Sequence, residues 1–161
     1  MTRTHGRCPA GERLVFPVPA GHWKSTTFVA ALRTDGLSAP TVVDGAMDRA
    51  TFEAWVEQQL VPTLRAGEVV VMDNLSAHTG PRVRALIEGA NCRVAYLPPY
   101  SPDLNPIENA FSKLKRLLRT AAERTVDGLW AAIGRLLDQF TRPECRNYFR
   151  HCGYAKPATR A

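Results

Sequence analysis

The stretch that most restricts how this chain can fold is Glu68-Val-Val-Val-Met-Asp73, an unbroken apolar run closed at each end by an acid. β-Branched side chains favour a pleated backbone, and a continuous rather than alternating run reads as a strand buried on both faces. A helical pattern follows from Pro81 to Glu88, closing at Gly89, and a second strand pattern runs from Arg93 to Leu97. Strand, helix and strand in about 30 residues predict a right-handed crossover between two parallel strands.

Upstream, the β-prone runs are short and punctuated. Leu14-Val-Phe-Pro-Val, Thr26-Thr-Phe-Val-Ala-Ala-Leu and Pro40-Thr-Val-Val are separated by Gly21 and Asp35-Gly36 and closed by Asp44-Gly45. Two or three antiparallel strands joined by tight turns are expected there. Phe52, Trp55, Val56, Leu60 and Leu64 then recur at helical spacing, after a cap at Asp48 and before Gly67, with Pro62 placed to kink or end the helix.

The loop Pro98-Pro-Tyr-Ser-Pro-Asp-Leu-Asn-Pro106 holds four of the twelve prolines and leads into another helix. Asn105 suits its N-cap, Pro106 its first turn, and Glu108 the third position of a capping box. Ile107, Phe111, Leu114 and Leu118 mark its apolar face, and a last helix is predicted from Val126 to Phe140, ending near Pro143. The tail from Lys156 is expected to fray.

Charge divides the chain. The first eighty residues carry a net −1 and the remaining eighty-one a net +7, so the basic excess lies in the second half. Clustered cations favour a polyanionic partner. The longest apolar runs, Phe28 to Leu32 and Leu129 to Ile133, are five residues each, against about 20 for a membrane span. No secretory signal opens the chain, so a cytoplasmic location with no membrane partner is expected. Cys8, Cys92, Cys145 and Cys152 include no Cys-x-x-Cys pair; all four read as structural and zinc is not expected.

Two carboxylates draw the chemistry together. Asp73 leaves the buried strand at its carboxyl end, where open α/β sheets place ligand-binding groups, although an Asp there also caps turns. Glu108 has its own plain role as a capping residue. Considered jointly, one acid ends a parallel strand and the other starts the helix after the neighbouring strand, so both should meet at one sheet edge. Two hard oxygen donors on rigid elements suit Mg²⁺, an ion that keeps several waters. Ser112, Lys115 and Arg119 follow Glu108 at i+4, i+7 and i+11, aligning a cationic stripe with the acid.

The segments Val69-Val-Val-Met-Asp-Asn-Leu-Ser-Ala-His78 and Tyr96-Leu-Pro-Pro-Tyr-Ser-Pro-Asp-Leu-Asn-Pro-Ile-Glu-Asn109 closely resemble the catalytic core of bacterial insertion-sequence transposases of the mariner-like superfamily. The 34 residues between Asp73 and Glu108 also agree with that resemblance. It implies a ribonuclease H-like mixed sheet flanked by helices, over residues 1–155 as one Asp-Asp-Glu catalytic domain. It implies two divalent ions, Mg²⁺ or Mn²⁺, and cleavage and strand transfer of double-stranded DNA at transposon ends. Asp73 matches the second metal-binding acid and Glu108 the third. Asn74 and His78 match positions beside the site, His78 orienting a ligand or phosphate or else capping the next helix, and Asn105 caps the helix that presents Glu108. Lys113, Lys115, Arg116 and Arg119 are the DNA-contact candidates.

The first acid of such enzymes has no counterpart here, because Asp35, Asp44 and Asp48 match no catalytic position. The chain therefore looks like an amino-terminally truncated domain with its first strand missing or incomplete, and little or no catalysis is expected from it alone. A rival expectation is a non-catalytic fragment that binds DNA, or pairs with itself or a full-length transposase, and modulates transposition.

Overall fold

A computed structural model describes residues 6–15 and 25–154. β1 (Thr26–Arg33) and β2 (Gly36–Asp44) form an antiparallel hairpin, and Arg33 pairs with Gly36 across the turn that Asp35-Gly36 foretells. The register slips between Val29 and Ala31, opposite Ala39, which adopts a left-handed φ of 51°. Of the earlier β-prone run, Leu14 and Val15 are exposed and outside any strand, and its remainder lies outside the described residues, as does the tail from Lys156.

α1 (Arg49–Trp55) starts where Asp48 accepts a hydrogen bond from the Thr51 amide at 2.8 Å. It widens into a π-helical turn over Val56–Leu60 and tightens to a 3₁₀ turn at Val61–Thr63, so Pro62 ends the element within one turn. β3 (Val69–Met72) and β4 (Arg93–Tyr96) pair in parallel around α2 (Pro81–Gly89), which bears out the expected parallel pairing. A 3₁₀ turn at Pro102–Leu104 precedes α3 (Pro106–Ala121), followed by α4 (Val126–Leu137) and α5 (Arg142–His151).

α5 has no counterpart in the sequence expectation. Pro143 reads as a stop after the preceding helix, yet it occupies the first turn of α5, where proline costs no hydrogen bond.

Two apolar cores form. Phe52, Trp55, Val56, Leu60, Met72, Val83 and Ile87 build one, packed against Val29, Ala31 and Val70. Ala110, Leu114, Leu118, Ile133 and Cys145 build the other, packed against Phe28, Leu32 and Val42. Alternation along β1 therefore sends successive side chains towards different cores, so that it packs on both faces while only Ala30 is fully buried. β3 departs from the same expectation. Met72 is buried, but Val69 and Val71 remain 44% and 37% exposed, because the α3–α5 core covers the hairpin and does not include them.

Cys92, Cys145 and Cys152 are buried free thiols, whereas Cys8 is exposed and does not serve a core. Burial raises the Cys145 thiol above its usual range, with Glu144 adding to the effect. Among the described residues, no helix is long and apolar enough to cross a membrane.

Candidate metal and nucleic-acid site

Asp73 follows β3 directly, and Leu97, the residue after β4, donates its amide to the Met72 carbonyl at 2.8 Å. The parallel ladder thus continues to the residue before Asp73 and brings the Pro98–Asn105 loop to the same sheet edge. That loop ends at Asn105, and Glu108 stands in the first turn of α3, where the positive end of the helix dipole favours a carboxylate. Asp73, Asn105 and Glu108 line one cavity of about 780 Å³.

The start of α3 differs from the expected capping box. Asn105 makes no side-chain cap; its carbonyl accepts the Glu108 amide at 3.1 Å, while its own amide donates to Pro102 at 3.0 Å. The preceding 3₁₀ turn supplies the stop and start through backbone groups alone, which leaves the Glu108 carboxylate unused as a cap.

Asp73 caps the turn after β3 and holds a second partner. Its Oδ1 accepts the Leu75 amide at 3.4 Å, a weak turn cap, and also the Nδ1–H of His78. A carboxylate only accepts, so Nδ1 carries the proton and Nε2 is left as the ring's other nitrogen. The His78 ring lies against Phe52, with centroids 4.1 Å apart, and its carbonyl accepts the Tyr96 hydroxyl at 3.2 Å. His78 does not cap α2, whose N-cap is Gly80. It fixes the Asp73 carboxylate from a ring that packing already holds, a role for which Phe52 and Tyr96 carry no sequence signal. Asn74 is exposed at the same edge.

On α3, Glu108, Ser112, Lys115, Arg116 and Arg119 are exposed, so the cationic stripe runs along the helix from the acid. Lys113 departs from it. Its ammonium donates to Glu144 at 2.5 Å and to the Gln139 carbonyl at 2.7 Å, and it lies 4.7 Å from the Phe140 ring centroid. With a side chain only 16% exposed, Lys113 joins α3 to α5 rather than facing a ligand. Burial pushes the Glu144 carboxyl up, and hydrogen bonds from Lys113 and Tyr148, with the Lys113 charge, outweigh it and hold Glu144 below its usual range. Burial and the same carboxylate push the Tyr148 hydroxyl well above its own.

Hard oxygen donors lining one cavity fit a divalent ion that retains water. Among the described residues, no three His, Cys, Asp or Glu side chains gather as a metal-holding group, so the pair is at most part of a ligand set.

The family described as "DDE superfamily endonuclease" matches residues 1–129. The chain belongs to that family. This DDE-family chain is 29% identical over 129 residues to the "Transposable element Tc1 transposase" of Caenorhabditis elegans, covering 70% of the chain and 47% of the relative. It is 34% identical over 79 residues to the "Transposable element Tcb1 transposase" of Caenorhabditis briggsae, covering 47% and 29%. It therefore spans less than half the length of these relatives. A solved structure described as the "Mos1 Strand Transfer Complex" superposes with a TM-score of 0.73 at 16% identity, covering 94% of this chain and 47% of that one. That likeness bears out the ribonuclease H-like fold class.

Proposed function

We propose that this chain supplies two acids, Asp73 and Glu108, of a metal-dependent site for DNA cleavage and strand transfer at the ends of an insertion sequence. The observation that carries the reading is that Asp73, which leaves β3 at the carboxyl edge of the β3–β4 pair, and Glu108 line the same cavity. Membership of an endonuclease family and relatives named as transposases support it. Double-stranded DNA is the substrate, at transposon ends and target, and the cytoplasm is where the chain meets it.

Asp73 and Glu108 would hold Mg²⁺ or Mn²⁺, two ions in a complete site, and such ions polarise phosphoryl oxygens and generate nucleophiles at neutral pH. His78 keeps the Asp73 carboxylate in one orientation, as outer partners of metal ligands do. Lys115, Arg116 and Arg119 neutralise backbone phosphates along α3 and carry no base preference. Asn74 and Asn105 border the acids.

With no third acid grouped beside Asp73 and Glu108 among the described residues, little or no cleavage is expected from the chain alone, with weak metal affinity and salt-sensitive DNA binding retained. Incubation with supercoiled plasmid and Mg²⁺ or Mn²⁺ tests this. Plasmid that stays supercoiled in the presence of bound chain is expected. Robust nicking that Asp73→Ala abolishes would overturn the incompleteness while keeping the site.

A further inference from the structure

α5 lies beyond residues 1–129, the span of the family match, and its exposed face carries charge of one sign. Arg142, Arg146 and Arg150 follow one another at i, i+4 and i+8, with Asn147 and His151 beside them, and all are exposed. At about 1.5 Å of rise per residue the three arginine positions span about 12 Å of one helix face. Glu144, the single acid of α5, is turned to α3 and engaged by Lys113 and Tyr148. Arg150 donates to Asn147 at 3.1 Å, and Arg142, Arg146 and His151 have no ion-pair partner among the described residues.

Helix stability accounts for only part of this charge. Arg150 and His151 stand in the last turn, where cations offset the helix dipole. Arg142 stands in the first turn, where the same dipole disfavours a cation, and Arg146 stands mid-helix. The dipole thus explains neither Arg142 nor Arg146.

The packing of α5 places the ridge. Lys113 engages Glu144 near the start of α5, while Asn109, one turn earlier on α3, donates to the Cys152 sulfur just past the end of α5 at 3.7 Å. α5 therefore runs antiparallel to α3, and its Arg150–His151 end lies beside the start of α3, where Glu108 stands. Phe149 lines the cavity with Asp73 and Glu108, and the Tyr154 hydroxyl donates to the Leu104 carbonyl at 2.9 Å, tying the end of α5 to the loop that leads into α3. From that end the arginines lead away from the acids along α5.

The chemistry of the face selects its occupant. The aromatic residues of α5, Tyr148 and Phe149, are half-buried against the rest of the chain, so the face offers no platform for stacked bases or for an apolar partner. Cations spaced along a rod match a regular array of phosphates. Each strand of duplex DNA carries one phosphate per about 3.4 Å of axis, so about 12 Å of ridge meets about three of them. We infer that the Arg142–Arg146–Arg150 face of α5 is a second contact surface for the backbone of double-stranded DNA, separate from the stripe on α3. For its partner this surface rests on the proposed DNA function, and it adds residues that have no part in that function so far. Phosphate contacts of this kind position a duplex and carry no base preference.

The test measures binding of a fluorescein-labelled duplex to the full chain from 50 to 200 mM salt, by anisotropy. Replacing Arg142, Arg146 and Arg150 together with Gln should lower the slope of log affinity against log salt by about three, one phosphate contact per arginine, in addition to the loss caused by Arg116→Ala and Arg119→Ala. Replacing the same three with Lys keeps the charges and should keep the slope. Arg142→Gln removes a cation from the first turn of α5, so its thermal midpoint should not fall, as it would if Arg142 served the fold. An unchanged slope in the triple Gln variant, with the α3 variants still losing theirs, would overturn the α5 surface and leave the DNA function standing. Absence of salt-dependent duplex binding by the parent chain would overturn the surface, while Mn²⁺ affinity still reports the acids independently. Loss of binding to phosphatidylserine vesicles, with duplex binding intact, would overturn DNA as the occupant.

Discussion

Asp73 and His78 are joined by a hydrogen bond from Nδ1–H to Oδ1 across the loop that leaves β3, and the His78 ring is itself pressed against Phe52. The acid at the sheet edge is thereby held by a group the first core immobilises. Changing a residue that orients a metal ligand typically lowers metal affinity 10–100-fold.

His78→Phe keeps a ring against Phe52 and removes the donor to Asp73. Its thermal midpoint should stay near that of the parent, while Mn²⁺ affinity falls about tenfold. Calorimetric titration beside a melting curve reads both, and unchanged affinity would show that Asp73 needs no support from His78.

Lys113 is expected to matter for stability. Replacing it with Met keeps an unbranched side chain of similar length and removes the ammonium with its charged hydrogen bonds to Glu144 and Gln139 and its contact with the Phe140 ring, a loss of about 2 kcal/mol in denaturant unfolding.

The same pair sets a pH dependence. Glu144 is held below its usual value of 4.5 in the folded chain, so its contribution is complete above that pH and lost as pH falls through the lower folded value. Denaturant titrations from pH 6 to pH 3 should show a decline starting near 4.5 that is shallower in Lys113→Met.

DNA binding should separate Lys113 from its neighbours on α3. Arg116→Ala and Arg119→Ala should each lower the slope of log affinity against log salt by about one, the loss of one phosphate contact. Lys113→Met, with its ammonium already engaged by Glu144, should leave that slope unchanged. A fluorescence titration of a duplex from 50 to 200 mM salt distinguishes them.

Local signals carried much of this fold into the sequence. The β3 run, the turn at Asp35-Gly36, the cap at Asp48 and the proline-led start of α3 are each dictated within a few residues, and each stands where expected. That Asp73 and Glu108 border one cavity was legible because a parallel crossover determines where consecutive strands end. What escaped depends on distant partners. Pro143 looks the same before a helix as after one, and Lys113 resembles Lys115 until α5 presents Glu144. The open face of Val69 and Val71 is likewise a matter of what covers β3, and its own residues cannot report that.

Whether Asp73 and Glu108 act as one site is most directly read by Mn²⁺ titration of the full chain, followed by electron paramagnetic resonance of the free ion. One weak saturable site is expected, with affinity at least tenfold lower in both Asp73→Asn and Glu108→Gln. Binding that survives either substitution unchanged would contradict a shared metal site.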